Sequence, residues 1–303
     1  MSGMRHFLDI TDLSADELRN VLALAGRPAG SLGRPLDGLG VALVFEKPSN
    51  RTRQSMEMAV VQLGGHPVYT RGDEVQFDTR EPVEDVARTM SGYHGMLCAR
   101  VFRHVTVERL AAAATVPVVN MLSDRSHPMQ ALADVLTMRQ VLGPLLDRSV
   151  AWVGDYNNVA RSLGEACMLL GAHLRYACPI GYGPVDAELE RLSLLGQGRV
   201  EAFTRADDAV KGVDAVHTDT WTSMGQEAEK ETRHRAFEGF SVTSELMSLA
   251  APGAGFYHCM PAYRGLEVAA DVMDGPASKA IAQGHNRLHA SRALLAFLMG
   301  VRS

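Results

Sequence analysis

The sequence predicts an α/β protein of two similar-sized domains, each with a mainly parallel sheet flanked by helices. Three observations carry that expectation. Short apolar runs alternate with stretches whose apolar residues recur at helical spacing, along nearly the whole chain. The alternation falls into two series that part near residues 138–146, where Gly143-Pro144 interrupts it. The chain has 303 residues, 46% of them hydrophobic and 21% charged, enough for two globular cores.

The elements come in this order. Ser14 and Glu17 form a capping box ahead of Leu18, Val21, Leu22 and Leu24, which signals a first helix. Gly26 to Gly40 is rich in Gly and Pro and reads as a loop. Val41–Phe45 is an apolar run of strand length, and Arg53–Leu63 sets Met56, Ala59, Val60 and Leu63 on one helical face. Pro67–Thr70, Met96–Val101 and Val116–Leu122 read as further strands, with helices near Pro82–Met90 and Val105–Ala114 between them. Pro128–Val141 reads as a long helix. In the second series, strands are expected at Ser149–Val153, His173–Ala177, Val200–Phe203, Ala215–Thr218 and Phe256–Cys259. Helices are expected at Asn158–Leu170, Val185–Leu195 and, closing the chain, Asn286–Met299.

Composition excludes several classes. Lys+Arg is 30 against Asp+Glu 35, a formal net charge of −5, so no basic excess points to nucleic acid. Cys98, Cys167, Cys178 and Cys259 form no Cys-x-x-Cys pair, which suggests a reduced, cytoplasmic protein. The first residues are broken by Arg5, His6, Asp9 and Asp12, unlike a signal peptide. No apolar run reaches the roughly 18–20 residues that span a bilayer.

Ligands of open parallel sheets sit beyond the carboxyl ends of strands, and the chemically rich segments lie just after strands. Phe45-Glu46-Lys47-Pro48-Ser49-Asn50-Arg51-Thr52-Arg53 opens a helix, whose N-terminal N–H groups, hydroxyls and guanidinium forks suit an anion or suit simple capping. His127-Pro128-Met129-Gln130 places a His at the N-cap of a helix, where it can donate to a carbonyl oxygen gaining charge. Val153-Gly154-Asp155-Tyr156-Asn157-Asn158 lacks the glycines of a dinucleotide site and offers two adjacent amides for a polar ligand, a turn or an N-cap. His217-Thr218-Asp219 leads into Trp221-Thr222-Ser223-Met224-Gly225, where an acid could bind an amine. His258-Cys259-Met260-Pro261 tempts towards metal chemistry, but adjacent strand residues point to opposite faces, which argues against one zinc held by both. Asn286-Arg287-Leu288-His289 puts an arginine at a helix start.

In this order and spacing, over roughly residues 5–300, these segments resemble the aspartate/ornithine transcarbamoylase family. The Asp-x-x-x-Ser-Met-Gly loop resembles its ornithine branch. The resemblance implies a metal-free enzyme without organic cofactor, which moves the carbamoyl group of carbamoyl phosphate to the δ-amine of L-ornithine, giving L-citrulline and phosphate. It implies a carbamoyl-phosphate domain over 1–140, to which a helix 285–303 returns, and an ornithine domain over 141–284. Phosphate would be held by Ser49, Asn50, Arg51, Thr52 and Arg100, completed by Gln76. His127, Gln130 and Arg287 would hold the carbamoyl group, with backbone at Cys259-Met260. Asn158, Asp219, Ser223 and Met224 would hold ornithine, with Asp219 and Cys259 near the reacting amine. The family also implies a homotrimer in which the polar loop Arg71–Glu81 carries Gln76 to a neighbouring site.

The chain departs from the family pattern. Asn50 replaces the first Thr of Ser-Thr-Arg-Thr, Met129 a Cys, Met260 a Leu, Tyr263 a His, and Asp78 a Gly. These departures raise two rivals: a carbamoyltransferase for putrescine, lysine or a modified ornithine, and a catalytically silent relative. Retention of so many convergent donors argues against the silent one.

Overall fold

A computed structural model describes residues 5–222 and 227–303. The chain forms two units, Met1–Ala133 with Asn286–Ser303, and Asp134–His285.

The first unit is built on β1 (Gly40–Phe45), β2 (His66–Arg71), β3 (Met96–Arg100) and β4 (Val118–Leu122). They are parallel, in the order β2-β1-β3-β4. Every residue from Val41 to Phe45 is buried, as the continuous apolar run requires of a strand covered on both faces. β2 lies at the edge and is half exposed, and there Pro67 is tolerated because an edge strand has one unpaired side. Helices α1 (Ala15–Ala25), α2 (Asn50–Gln62), α3 (Gly72–Val75), α4 (Val83–Ser91) and α5 (His104–Ala113) pack around it. α4 and α5 cover Ala42, Leu97, Ala99 and Val118 with Val83, Ala87, Val107 and Leu110. Each such aliphatic side chain stabilises by about 1.5–3 kcal/mol when removed from water.

The second unit holds β5 (Ser149–Val153), β6 (His173–Ala177), β7 (Arg199–Phe203), β8 (Ala215–Thr218) and β9 (Gly255–His258), parallel, in the order β7-β6-β5-β8-β9. One core packs Val153, Val216 and Phe256 of the sheet against Val210, Phe237 and Leu246. The long helix α6 (Pro128–Leu142) is divided between the units, and α7 (Asn158–Leu170), α8 (Asp186–Ser193), α9 (Ala206–Val210), α10 (Lys230–Ala236), α11 (Ser244–Ser248) and α12 (Ala270–Met273) come after it. The last helix, α13 (Ala280–Leu298), is also divided. Among the described residues no helix is long and apolar enough to cross a membrane.

Several boundaries differ from the sequence reading. α2 starts at Asn50 because Ser49 caps it, its hydroxyl accepting from the Thr52 N–H. α13 starts at Ala280, so Arg287 stands inside the helix and not at its start. Gly284, a poor helix former, hides the early turns. The stretch Gly26 to Gly40 contains a short 3-10 turn, Ala29–Leu32. α3, α9, α11 and α12 have four or five residues each, too few to show a period.

Strand order decides where a ligand can sit. In each sheet the chain winds outward both ways from a central pair, β1/β3 in the first and β5/β8 in the second. Such reversals leave a crevice at the carboxyl ends of the pair.

Candidate active site

At the first reversal, Phe45 and Arg100 are register partners, ending β1 and β3 side by side. The chain after Phe45 turns into α2, so the helix N-terminus and the buried Arg100 share one sheet edge. Ser49 Oγ lies 3.1 Å from Thr52 Oγ1. Arg287 Nη2 donates to Thr52 Oγ1 at 2.9 Å, and its Nη1 donates to Gln130 Oε1. Gln130 stands in the first turn of α6, where the His127 carbonyl accepts its N–H at 3.0 Å. Arg51 occupies the first turn of α2. Burial pushes the His127 pKa well below its usual value, and the charges of Arg287, Arg100 and Arg51 push it further. The ring is therefore neutral, and three guanidinium groups act on it. This is a cationic cradle with an uncharged imidazole in it, suited to an oxyanion.

Two residues stand apart from the cradle. Arg53 lies outside it: it pairs with Glu57 at 2.8 Å and covers the Tyr69 ring at 3.8 Å. Gln76 is exposed at the end of α3, with φ 49°, and its amide donates to the Asp73 carbonyl at 3.0 Å. Asp78 has φ 58°, the left-handed conformation that favours Gly and that Asp tolerates. Its carboxylate is held by Arg109 at 2.6 Å, which also binds Glu84 at 2.6 Å.

At the second reversal, Val153 and Thr218 are register partners. Gly154 continues β5 at φ 136°, a conformation open to Gly alone. Asn157 caps α7, its Oδ1 accepting from Val159 and Ala160 N–H at 2.9 and 3.0 Å. Its Nδ2 donates to Asp219 Oδ2 at 3.0 Å. The other carboxylate oxygen of Asp219 accepts from Cys259 Sγ at 2.8 Å. Asn158 is the first residue of α7, beside this group. Ser223 and Met224 lie outside the described residues. Met260 comes next after Cys259, at φ 55°, and its N–H donates to His258 Nδ1 at 2.9 Å.

The expectation that His258 and Cys259 point apart needs correction. Cys259 lies past the end of β9, so strict alternation no longer holds there. Ligand atoms of Asp219, His258 and Cys259 lie within 4.8 Å of one another. The two His258 nitrogens are engaged, however: Nδ1 by Met260, and Nε2 by Glu267 at 3.1 Å.

Sequence reasoning missed Asn157 as the residue that orients Asp219, since a cap and a hydrogen bond to a distant acid look alike in sequence. It also missed Arg233. This buried guanidinium donates to the Trp221 carbonyl at 2.6 Å and pairs with Asp155, joining the two strand-end segments. Burial raises the Asp155 pKa, and Arg233 opposes that shift.

Residues 5–140 match the family described as aspartate/ornithine carbamoyltransferase, carbamoyl-P binding domain, and residues 146–298 match its Asp/Orn binding domain. The chain belongs to the aspartate/ornithine carbamoyltransferase family. Within that family, an ornithine carbamoyltransferase of Halorhodospira halophila is 46% identical over 301 residues, 98% of this chain and 99% of that protein. A solved ornithine carbamoyltransferase from Pyrococcus furiosus superposes with a TM-score of 0.92 at 42% identity, covering 98% of each chain. A solved N-acetyl-L-ornithine transcarbamylase is similar at 29% identity and a TM-score of 0.86, over 97% of this chain and 99% of that one. The solved relatives of this chain thus include members named for more than one amine.

Proposed function

We propose that this enzyme transfers the carbamoyl group of carbamoyl phosphate to the δ-amine of L-ornithine, releasing L-citrulline and phosphate. The observation that carries the choice of ornithine is the name shared by relatives 42–47% identical over nearly their whole length. The geometry supports the chemistry. The first unit offers cations for a phosphate and a neutral His127 for a carbonyl oxygen. The second offers the Asp219 carboxylate, held by Asn157 and Cys259, for an amine.

In this reading the amine lone pair attacks the carbamoyl carbon, the bond to the phosphate oxygen breaks with its electrons leaving on phosphate, and one proton passes from the attacking nitrogen to the departing phosphate, which leaves as hydrogen phosphate. Arg51 and Arg100 stabilise the departing charge, and Ser49, Asn50 and Thr52 at the α2 N-terminus hold the phosphate. His127, Gln130 and Arg287 donate to the carbamoyl oxygen as it becomes an oxyanion and orient its NH₂ group. Asn158, Asp219, Ser223 and Met224 hold ornithine, and Cys259 stands by the reacting nitrogen. That nitrogen must be neutral, yet an alkyl amine titrates at about 10.4, so the rate should rise toward alkaline pH. No metal or organic cofactor is needed for these steps.

The assembly we propose is a homotrimer in which the loop of Gln76 completes a neighbour's phosphate site. The exposed Gln76 and the Asp78–Arg109 pair that steadies its loop support this. The four free cysteines fit a reducing cytoplasm. Formation of the carbamoylated (ureido) product from carbamoyl phosphate with ornithine, N-acetylornithine, putrescine or lysine, citrulline being the product of ornithine, tests the reading. Preference for any amine but ornithine overturns it, as does no turnover at all. Light scattering tests the trimer, and a monomer active at high dilution overturns that part.

A further inference from the structure

The contact between Cys259 and Asp219 depends on where β9 and β8 end, and one buried amide meets both strands. β9 is the edge of its sheet, with β8 on its inner side. On the outer side a returning segment pairs with it: the Phe256 N–H donates to the Ala277 carbonyl at 2.9 Å, and the Lys279 N–H to the Phe256 carbonyl at 2.7 Å. Two residues further along β9, α13 has begun, and a side chain continues the ladder. Gln283 Oε1 accepts the His258 N–H at 3.0 Å. Gln283 Nε2 donates to Asp134 Oδ1 at 2.6 Å and lies 3.0 Å from His217 Nε2 in β8. His217 Nδ1 is 3.1 Å from the Thr218 carbonyl, so a proton on Nδ1 leaves Nε2 to accept from Gln283. The His217 ring is stacked 5.0 Å from Trp152 and 6.4 Å from Tyr257, which holds its plane. Gln283, His217, Asp134 and His258 are all fully buried.

We propose that Gln283 is a positioning residue for the amine site: its amide fixes the ends of β8 and β9 so that Asp219 and Cys259, the residues just beyond them, meet. The role needs an acceptor for the His258 N–H and a donor for Asp134 and His217 on one short group, which an amide supplies. The inference rests on reading Asp219 and Cys259 as the amine side of a carbamoyltransferase.

Two variants of the full chain test it, with two readouts. Gln283→Leu keeps bulk and removes both bonding functions. Gln283→Glu keeps the acceptor for His258. The first readout is the rate at which iodoacetamide alkylates Cys259, followed by mass spectrometry, with buried Cys98, Cys167 and Cys178 as internal controls. The second is the Michaelis constant for each substrate. Gln283→Leu leaves the His258 N–H, Asp134 and His217 without this partner, so it should speed Cys259 alkylation and raise the ornithine constant, each by about tenfold. The carbamoyl-phosphate constant should change several-fold less, because the Gln283 bonds to His258, Asp134 and His217 lie within the second unit and Arg287, one turn along α13, keeps its own partners Gln130 and Thr52. Gln283→Glu keeps that acceptor but sets a second carboxylate against buried Asp134, so it should show both effects at least as strongly as Gln283→Leu.

Parental alkylation and ornithine constant in Gln283→Leu overturn the proposal. So does labelling of all four cysteines together with equal loss for both substrates, since Gln283 would then only hold the fold. If Gln283→Leu yields no folded protein, Gln283→Asn, one methylene shorter, is read by the same criteria. A parent enzyme that makes no citrulline removes the functional reading, while the alkylation comparison still decides the positioning role.

Discussion

At the reversal of the first sheet, the central strands run into helix N-termini and arginines. At the reversal of the second they run into amides, a carboxylate and a thiol. The backbones are alike: parallel register partners, Phe45 with Arg100 and Val153 with Thr218, end side by side, and a helix leaves one of each pair. The electrostatics are opposite. The first cradle collects Arg51, Arg100 and Arg287 and holds His127 neutral. In the second, Arg233 is taken up by Asp155 and the Trp221 carbonyl, and the Asp219 carboxylate is held by the neutral Asn157 amide and Cys259 thiol. Topology thus decides where chemistry can sit, and the few residues after each strand decide its sign.

The largest effect should come from breaking the cationic side. Arg51→Ala removes a guanidinium from a phosphate, and charged hydrogen bonds are worth about 1.5–3 kcal/mol each, so two of them make a loss on the order of a thousandfold in turnover. Circular dichroism should be unchanged, and near-normal turnover would sink the phosphate assignment. Next is the anionic side. Asp219→Asn should raise the ornithine Michaelis constant by about a hundredfold, the worth of one or two charged contacts, and that of carbamoyl phosphate far less. Equal changes in both would erase the contrast between the two regions.

A smaller change tests the proposed phosphate site at the start of α2. Asn50 is the first residue of α2, and its side chain is exposed. Asn and Thr both donate a neutral hydrogen bond, so Asn50→Thr should alter carbamoyl-phosphate affinity by about tenfold or less, and Asn50→Ala more. A parent inactive with ornithine and rescued by Asn50→Thr would instead mark Asn50 as a substrate switch. The smallest effect is a control far from both regions. Arg5 lowers the Glu17 pKa to about 2 through a direct hydrogen bond. A depressed acid stabilises the fold above its unfolded pKa, and that contribution is lost as pH falls from about 4.5 to about 2. The pair is about one-third exposed, so Glu17→Gln should cost at most about 1 kcal/mol at neutral pH and nothing near pH 2. Thermal melts at both pH values measure it, and an equal cost at both would refute the linkage.

Much of this architecture is legible in the sequence because parallel strands buried on both faces must be apolar throughout. Val41–Phe45 and Ser149–Val153 announce themselves, and polar residues just after them stand out. Residues that act across the fold are harder to read. Asn157 looks like a helix cap and is one, but its amide nitrogen donates to Asp219, sixty-two positions away. Gln283 lies in a stretch that Gly284 makes unhelical in appearance, and its partners Asp134 and His217 belong to other elements. Arg233 reads as one more charge in a polar run, yet it is buried. Asp78 reads as a departure from a glycine, and only its backbone angle and Arg109 explain why Asp suffices.

The neutral His127 has a further consequence, for proton bookkeeping. Its ring takes up no proton near neutrality, and guanidinium groups keep theirs above pH 12. The cradle therefore carries a constant charge across the range in which cells work. Binding of the phosphate donor should then release or absorb protons as the donor's own phosphate ionises. Sensitivity to pH then falls to the two substrates, the phosphate of one and the amine of the other.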